Sequence, residues 1–410
     1  MLKGQLGDWF VGAGAKRLSA VDAEPNTSNQ HEVGISRKMQ AQVLGTEGKT
    51  KFDTKYIWIG EDQAGISESG HATYYDTRSN NPSRAAEWRL YYYPNSITGL
   101  MREGDTLFLA KTRENHLLFI VTSPNSAAES QLCWLFGIES IGDKFVARSF
   151  GDDAPKIDFA ARFILDEIGF EFEDPDADNL DEIIDRFGTV FPRTVTFSDL
   201  ARQTLPGIDA KDDPDGALVA WLDQEEALFR RLERRVVTER LEAGFSDADG
   251  IDVDGFISFS LSVQNRRKSR MGHSLENHLE AIFRAFDIRY VRGAETENRH
   301  KPDFLFPGSD AYHAAPEAGH PHLRMLAAKS SCKDRWRQVL TEAAKISEKH
   351  LLTLEPSISE NQTEQMQETH LQLVVPRSIH HSYTLQQAAW LWSVSDFIKT
   401  VKDNQALGNI

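Results

Sequence analysis

The stretch LRMLAAKSSCKDRWRQVLTEA, residues 323–343, decides how the second half of this chain is read. LRMLAAK is a short apolar run that ends on a lysine, the pattern of a buried strand whose last residue reaches the end of a sheet. SCKDRWRQVLTEAAKI then places Trp336, Val339, Leu340 and Ala343 on one face and predicts a helix that starts on charged residues. Upstream, KPDFLFP is a second apolar run with Asp303 at its head. If these two strands are neighbours, Asp303 and Lys329 lie side by side at one end of a sheet. Glu342, thirteen residues after Lys329, then folds back toward them from the helix. Before them, SLENHLEAIFRAF (274–286) predicts a helix. Leu275, Leu279, Ile282, Phe283 and Phe286 recur at helical spacing, Ser274 is the expected N-cap, and Glu276 sits in the first turn. IRYVRG, LLTL and LQLVVP read as further strands, and LQQAAWLWSVSDFIKTV as a closing helix. From Ser274 the order is α-β-β-β-α-β, an α/β framework.

The rest of the chain reads differently. With 410 residues, 40% hydrophobic and 26% charged, its composition is that of a globular protein with two or three domains. Residues 1–150 predict mostly β structure. TKYIWIG, DTLFLAKTRENHLLFIVT and QLCWLFGI are short apolar or alternating runs, and TLFLAK and HLLFIV flank a polar turn as a hairpin. A barrel or sandwich is the natural architecture. Residues 151–190 form an acidic hinge region, and residues 191–410 hold the α/β domain. Within the latter, 217–243 predicts a packing helix through Trp221, Leu228, Leu232 and Val236.

No apolar run approaches the roughly 18 residues of a membrane span, and the start MLKGQLGDWF has no signal-peptide core. A cytoplasmic protein without a membrane partner is expected. Cys133 and Cys332 are expected as reduced thiols, and zinc-type Cys/His spacing is absent. The net charge of −16 argues against nucleic acid until its distribution is seen. Residues 151–190 hold 13 Asp/Glu against 3 Lys/Arg, whereas residues 262–340 hold 14 Lys/Arg against 9 Asp/Glu. A local basic face can bind phosphates inside an acidic chain.

Phosphodiester hydrolysis needs a hard divalent cation, carboxylates to hold it and a cation such as lysine to stabilise developing negative charge. Mg²⁺ keeps several waters, so one or two carboxylates suffice. Asp303, Glu342 and Glu276 offer the carboxylates, and Lys329 the cation. Taken singly, each has an ordinary reading: a loop-to-strand aspartate, a solvated strand-end lysine, a surface glutamate, a glutamate favourable to a helix dipole.

The runs SVQNRRKSRMGHSLENHLEAIF, HKPDFLFPGSDAYH, LRMLAAKSSCKDRWRQVLTEAAKI and LQLVVPRSIHHSY together resemble, almost continuously over about 255–380, the catalytic domain of EcoRII-type type II (IIE) restriction endonucleases. That resemblance implies a variant PD-(D/E)XK nuclease whose second carboxylate has moved from the strand to the following element. Ala327, where the common motif has an acid, then fits, and the displaced acid matches Glu342. Asp303 and Lys329 would be the core catalytic pair, Asp303 and Glu342 the metal ligands, Glu276 an accessory carboxylate, and Tyr312 a tyrosine near the active site. Lys333, Asp334 and Arg335 would read C:G pairs, since Lys and Arg donate to guanine O6 and N7 and a carboxylate accepts from cytosine N4. Arg266, Arg267, Lys268 and Arg270 would hold backbone phosphates.

The first half resembles the same family more weakly, through AKRLSAVDA, HEVGIS and YYDTRSNN. This implies an N-terminal β pseudobarrel that binds effector DNA through two arms, with Lys16, Arg17 and His31 on the first and Arg78 and Arg84 on the second. In the second arm the family's dense basic run is replaced by SRAAEWRLYYY, with Glu87 and Trp88 at basic positions. The domain therefore reads another sequence, binds more weakly or has lost binding. Trp88, Tyr91, Tyr92 and Tyr93 also suit core and strand positions.

The resemblance thus implies a Mg²⁺-dependent endonuclease acting on double-stranded DNA at a CCWGG-like site. It implies a homodimer, a cognate DNA methyltransferase in the same system, and autoinhibition relieved by a second DNA copy. The acidic hinge could cover the basic cleft at rest. Two alternatives stay open: a DNA-binding regulator with an inert nuclease core, and a methylation-dependent or repair nuclease of the same fold.

Overall fold

A computed structural model describes residues 4–24, 31–45, 48–60, 65–81, 83–151, 154–170, 178–247, 250–316 and 320–407. The chain divides into two compact units, Lys3–Glu171 with Pro356–Glu360, and Phe172–Glu355 with Asn361–Ile410.

The first unit is a curled eight-stranded sheet. Its strands are β1 (Phe10–Arg17), β2 (Glu32–Gly34), β3 (Thr50–Ile59), β4 (Ile66–Asp76), β5 (Trp88–Tyr92), β6 (Thr106–Thr112), β7 (Leu117–Thr122) and β8 (Val146–Ser149), in the order β2-β5-β4-β3-β7-β6-β1-β8. The predicted hairpin is β6–β7, and every pairing is antiparallel except β3 with β7. The two edge strands turn toward each other: the Ser36 hydroxyl, just after β2, donates to the Phe145 carbonyl, just before β8, at 2.9 Å. One core lies within the curl and takes Val33, Phe52, Tyr56, Tyr74, Tyr92, Leu109 and Phe119 from strands around it and Phe145 from just before β8. Closure of this kind protects sheet edges, and the unit is a β pseudobarrel.

QLCWLFGI, read as a strand, belongs instead to a helix, Ala127–Phe136. Its start is capped by the Ser126 side chain accepting from Glu129 N–H, and Gly137 ends it in the left-handed region at φ +62°. Both signals are in the sequence; the apolar density between them obscured the period.

The second unit carries a five-stranded mixed sheet. A two-residue hairpin, β9 (Ser246–Asp247) and β10 (Gly250–Ile251), precedes β11 (Val291–Arg292), β12 (Phe304–Phe306), β13 (Arg324–Lys329), β14 (Lys349–Thr353) and β15 (Leu371–Val374). β11, β12 and β13 run antiparallel to their neighbours, while β13, β14 and β15 are parallel. The helix Val253–Ala285 packs on this sheet through Leu275, Leu279, Ile282 and Phe283, all fully buried. Phe283 meets Phe304, Phe306 and Phe397 edge-on or tilted at 5.1–6.3 Å, geometries aromatic rings favour.

This helix starts well before Ser274, which is a buried interior residue rather than the N-cap; Asp252 caps it by accepting from Gly255 N–H. The predicted helix after β13 is also shorter than expected. Only a 3₁₀ turn, Lys333–Arg335, and one α turn, Trp336–Val339, form. Trp336, Val339 and Ala343 are buried as expected, but Ala343 has φ +47°, which no α-helix accommodates. The closing helix is two helices, Leu385–Trp390 and Val394–Leu407, because Trp392 leaves the helical path to bridge Val374.

The acidic segment 151–190 is shared between the units. The helix Phe159–Glu167 belongs to the first, and the helix Asp178–Ile184 to the second. In the second unit Asp181 pairs with Arg231 at 2.6 Å and Asp185 with Arg235 at 2.8 Å, both arginines on the packing helix Pro214–Ala243. No helix among the described residues is long and apolar enough to cross a membrane.

Candidate active site and nucleic-acid interface

Strand register brings Asp303 and Lys329 together. β12 pairs antiparallel with β13, with Phe304 opposite Leu326, so one step outward sets Asp303 opposite Ala327. Lys329 is two residues further on the same face of β13, a diagonal neighbour that a long side chain reaches. Lys329 Nζ donates to Asp303 Oδ2 at 2.8 Å, and Ala328 N–H donates to the same oxygen at 2.7 Å. Asp303 Oδ1 makes no hydrogen bond among the described residues. Both side chains keep a solvent-facing part, 17% for Asp303 and 24% for Lys329.

Glu342 approaches from the turn after Val339, not from a helix. Burial pushes its carboxyl above the ordinary glutamate value and nearby Asp303 adds to this, while Lys329, His300 and Lys349 pull the other way. Its Oε2 is buried without a hydrogen-bond partner. A buried, unpartnered carboxylate oxygen is costly, and a cation is the simplest group to satisfy it.

Glu276 is held elsewhere: Arg292 grips its Oε2 through Nε at 2.9 Å and through Nη2, and also donates to Asn277 at 3.0 Å. Nothing described joins Glu276 to Asp303, Lys329 or Glu342. Tyr312 is fully buried, its hydroxyl bonded to Glu297 and to Lys345 N–H.

No three His, Cys, Asp or Glu side chains among the described residues form a metal cage. The donor set of Asp303 and Glu342 still fits a hard cation that keeps most of its waters, which needs only one or two carboxylates. Glu297, His300 and Lys349 lie around the Glu342 turn, and Arg292 holds Glu276; all four escaped the sequence reading. They lie at strand ends, on a loop and in a short 3₁₀ turn, Glu297–Arg299, where no periodic pattern marks them.

The residues expected to touch DNA fall into distinct settings. Lys333 and Arg335 lie in the 3₁₀ turn after β13, whose first amides, those of Cys332 and Lys333, point at buried Glu355. Arg335 is exposed, and its guanidinium donates to the Ser331 carbonyl at 2.8 Å. Asp334 and Lys268 have side chains outside the described residues. Arg266 stacks over Phe191 at 4.1 Å and Arg267 pairs with Glu233 at 2.6 Å.

Arg270 does not offer its charge to solvent. It is 7% exposed, stacks over Phe229 and is ion-paired with Glu225 and Glu226. In the pseudobarrel Lys16 is likewise buried against Asp22 at 2.7 Å. Arg17 bonds Glu129 at 2.7 Å as well as Thr106. His31 packs edge-on against Tyr92, and Arg78 pairs with Glu87. Arg84 is exposed on the loop before β5. Tyr92 is core, Trp88 stacks on Tyr74 at 4.6 Å, and Tyr93 is exposed.

Arg270 belongs to a buried polar chain. Arg202 Nη1 lies 2.8 Å from His278 Nδ1 and can only donate, so Nδ1 accepts and Nε2 carries the ring proton; Glu225 Oε2 lies 2.9 Å from Nε2 as an ion-pair neighbour. Burial lowers the His278 pKa against the pull of Glu225. Burial raises that of Glu225, but His278, Ser274 and Arg270 outweigh it and leave it below the ordinary value. For both groups the unfolded chain therefore takes up protons first on acidification. The second unit is expected to lose stability as pH falls below histidine's ordinary 6.5, and further below glutamate's ordinary 4.5. Urea unfolding at several pH values reads this, and His278→Gln should flatten the upper part of the decline.

Residues 229–398 match the family model described as EcoRII C terminal. The type II restriction enzyme EcoRII of Escherichia coli is 44% identical over 187 residues, 45% of this chain and 45% of its own length. This chain therefore matches less than half of that curated relative. Among solved structures, metal-depleted Ecl18kI in complex with uncleaved, modified DNA aligns at TM-score 0.44 and 17% identity, covering 57% of this chain and 85% of that one. A PspGI–substrate DNA complex aligns at TM-score 0.44 and 15% identity, covering 53% and 95%. Asp303, Lys329 and Glu342 thus all fall inside the segment 229–398 that the EcoRII C-terminal family model matches.

Proposed function

We propose that this chain is a type II restriction endonuclease that hydrolyses double-stranded DNA at a specific site. The observation that carries the reading is the Asp303–Lys329 pair with Glu342 beside it, inside a segment that matches the EcoRII C-terminal family. Mg²⁺ is the proposed cofactor, held by Asp303 and Glu342; when bound it would polarise the scissile phosphate and help ionise a water. Lys329 then orients the nucleophile or stabilises charge growing on the phosphate. Arg335 and Lys333, on the exposed turn, donate to guanine edges, and Asp334 completes the reading of C:G pairs.

A CCWGG-like site and a homodimer that cuts one strand per subunit belong to the same proposal, since a two-fold site calls for a two-fold protein. So do a cytoplasmic setting and a partner methyltransferase. The pseudobarrel is proposed to bind a second DNA copy and release an autoinhibited catalytic unit. The engagement of Lys16 and Arg17 inside that unit leaves exposed Arg84 as the best placed of its candidate contacts.

Incubation of unmethylated phage or plasmid DNA with the protein and Mg²⁺, beside Lys329→Ala, tests the reading. Discrete fragments that the variant does not produce are expected, and sequencing their ends gives the site and the cut. Deleting residues 1–180 should raise cleavage of single-site DNA; an unchanged or lower rate removes the autoinhibition. No cleavage under any condition, with specific gel shifts retained, moves the chain to a DNA-binding regulator.

A further inference from the structure

Glu342 sits in the irregular connection 340–348 between the α turn Trp336–Val339 and β14. Its backbone is nevertheless fixed at several points, by His300, Glu297 and Tyr312 from far in the sequence and by Lys349 from the start of β14. His300 Nδ1 donates to the Thr341 carbonyl at 2.9 Å. Buried Lys349 donates to the carbonyls of Ala343, at 2.8 Å, and Ile346. On the other side, Glu297 Oε2 accepts from Ala344 N–H at 3.1 Å and from the Tyr312 hydroxyl. The Tyr312 oxygen in turn accepts from Lys345 N–H at 3.2 Å. Lys345 returns the contact by donating to the carbonyls of Tyr312, His313 and Ala315. Between these anchors Ala343 is held at φ +47°, a backbone state that a residue with a Cβ keeps only when its surroundings enforce it.

We propose that Glu297 is a positioning residue for Glu342, acting with Tyr312 as a two-member bridge to the amides of residues 344 and 345. This rests on the nuclease reading for its consequence, but not for its geometry. The phenol of Tyr312 spends its proton on Glu297 and a lone pair on Lys345 N–H. Tyr312 therefore supports the site through the turn and does not exchange a proton with substrate. The carboxylate of Glu297 is the point where the bridge meets the first turn before Asp303, so one side chain ties the two metal-binding segments together. A misplacement of about 1 Å at such a group costs up to about a hundredfold in rate.

The bridge needs an acceptor at Oε2, not a charge. Glu297→Ala removes that acceptor, whereas Glu297→Gln can keep a carbonyl oxygen there. In the full chain with Mg²⁺, Glu297→Ala is expected to lower kcat at least tenfold with KM for DNA within twofold. Glu297→Gln should stay within threefold of the parent in both. Hydrogen exchange of the peptide spanning 341–348 should accelerate in Glu297→Ala at the amides of residues 344 and 345, with β15 amides unchanged. Tyr312→Phe, which removes one hydroxyl, should accelerate the same amides and serves if Glu297→Ala does not fold. Unchanged exchange in both variants overturns the bridge. Equal loss of kcat in Glu297→Ala and Glu297→Gln overturns the positioning role in favour of a charge effect. If the parent protein itself cleaves no DNA, the nuclease reading fails while the exchange data still decide the bridge.

Discussion

On the proposed nuclease reading, Lys329→Ala should lower the rate of DNA cleavage by on the order of 10²–10³-fold and leave the melting temperature nearly unchanged. The ammonium lies 2.8 Å from Asp303 and is 24% exposed, so its loss opens no buried cavity. Ala328 N–H still satisfies the Asp303 oxygen it shares. What disappears is the positive charge that this reading sets beside the reacting phosphate, where it would matter most in the transition state. The loss should therefore fall on kcat, with DNA affinity changed little. Asp303→Asn should be as inactive for a different reason. It keeps the shape and an oxygen for Ala328 N–H but withdraws the charge proposed to hold the cation. In metal-free buffer Asp303→Asn should bind DNA as well as the parent or better, because a carboxylate repelling phosphate has gone. Gel shifts without metal and single-turnover rates with Mg²⁺ separate the two variants. Parent-like cleavage by either would remove that residue from the chemistry.

The pairing of Asp303 with Lys329 was legible because it depends on short-range arithmetic. Two apolar runs define two strands, and a period of two carries each side chain to a face. Glu342 was legible by resemblance, but its support was not. The spacing of Trp336, Val339 and Ala343 reported burial correctly and helix length wrongly. What ends the helix is a set of contacts from Glu297, Tyr312, His300 and Lys349, each arriving from another element. The start of the Val253–Ala285 helix was missed for a related reason. Its first turns leave Val253, Phe256, Ile257 and Leu261 exposed, so no core-facing stripe marks them, and Gly255 and Gly272 lower the local helix preference. The basic residues show the sharpest limit. Sequence gives the sign of a charge, not its partner: Arg270 reads as a phosphate ligand and Lys16 as a contact of the first DNA-binding arm until Glu225, Glu226 and Asp22 are seen beside them.

That difference can be measured. Arg270→Ala is expected to destabilise the second unit by about 3–5 kcal/mol, the usual cost of breaking one side of a buried ion pair. Glu225 is fully buried and keeps only His278 and Ser274 once the guanidinium is gone. The stacking on Phe229, at 4.2 Å, is lost as well. Burial already lowers the Arg270 pKa to about 10, a sign of how little water reaches the group. For a unit of this size the change corresponds to a fall in melting temperature on the order of 10 °C. Arg335→Ala, by contrast, removes an exposed side chain bonded to one carbonyl and should leave melting within about a degree. The DNA readouts should reverse. Arg335→Ala should lose about 1–3 kcal/mol of preference for the specific site. Arg270→Ala, assayed below its melting transition, should bind DNA with the salt dependence of the parent, because no phosphate contact has been removed. A shallower salt slope in Arg270→Ala, with unchanged melting, would instead make Arg270 a phosphate ligand and its ion pairs with Glu225 and Glu226 a resting state that DNA displaces.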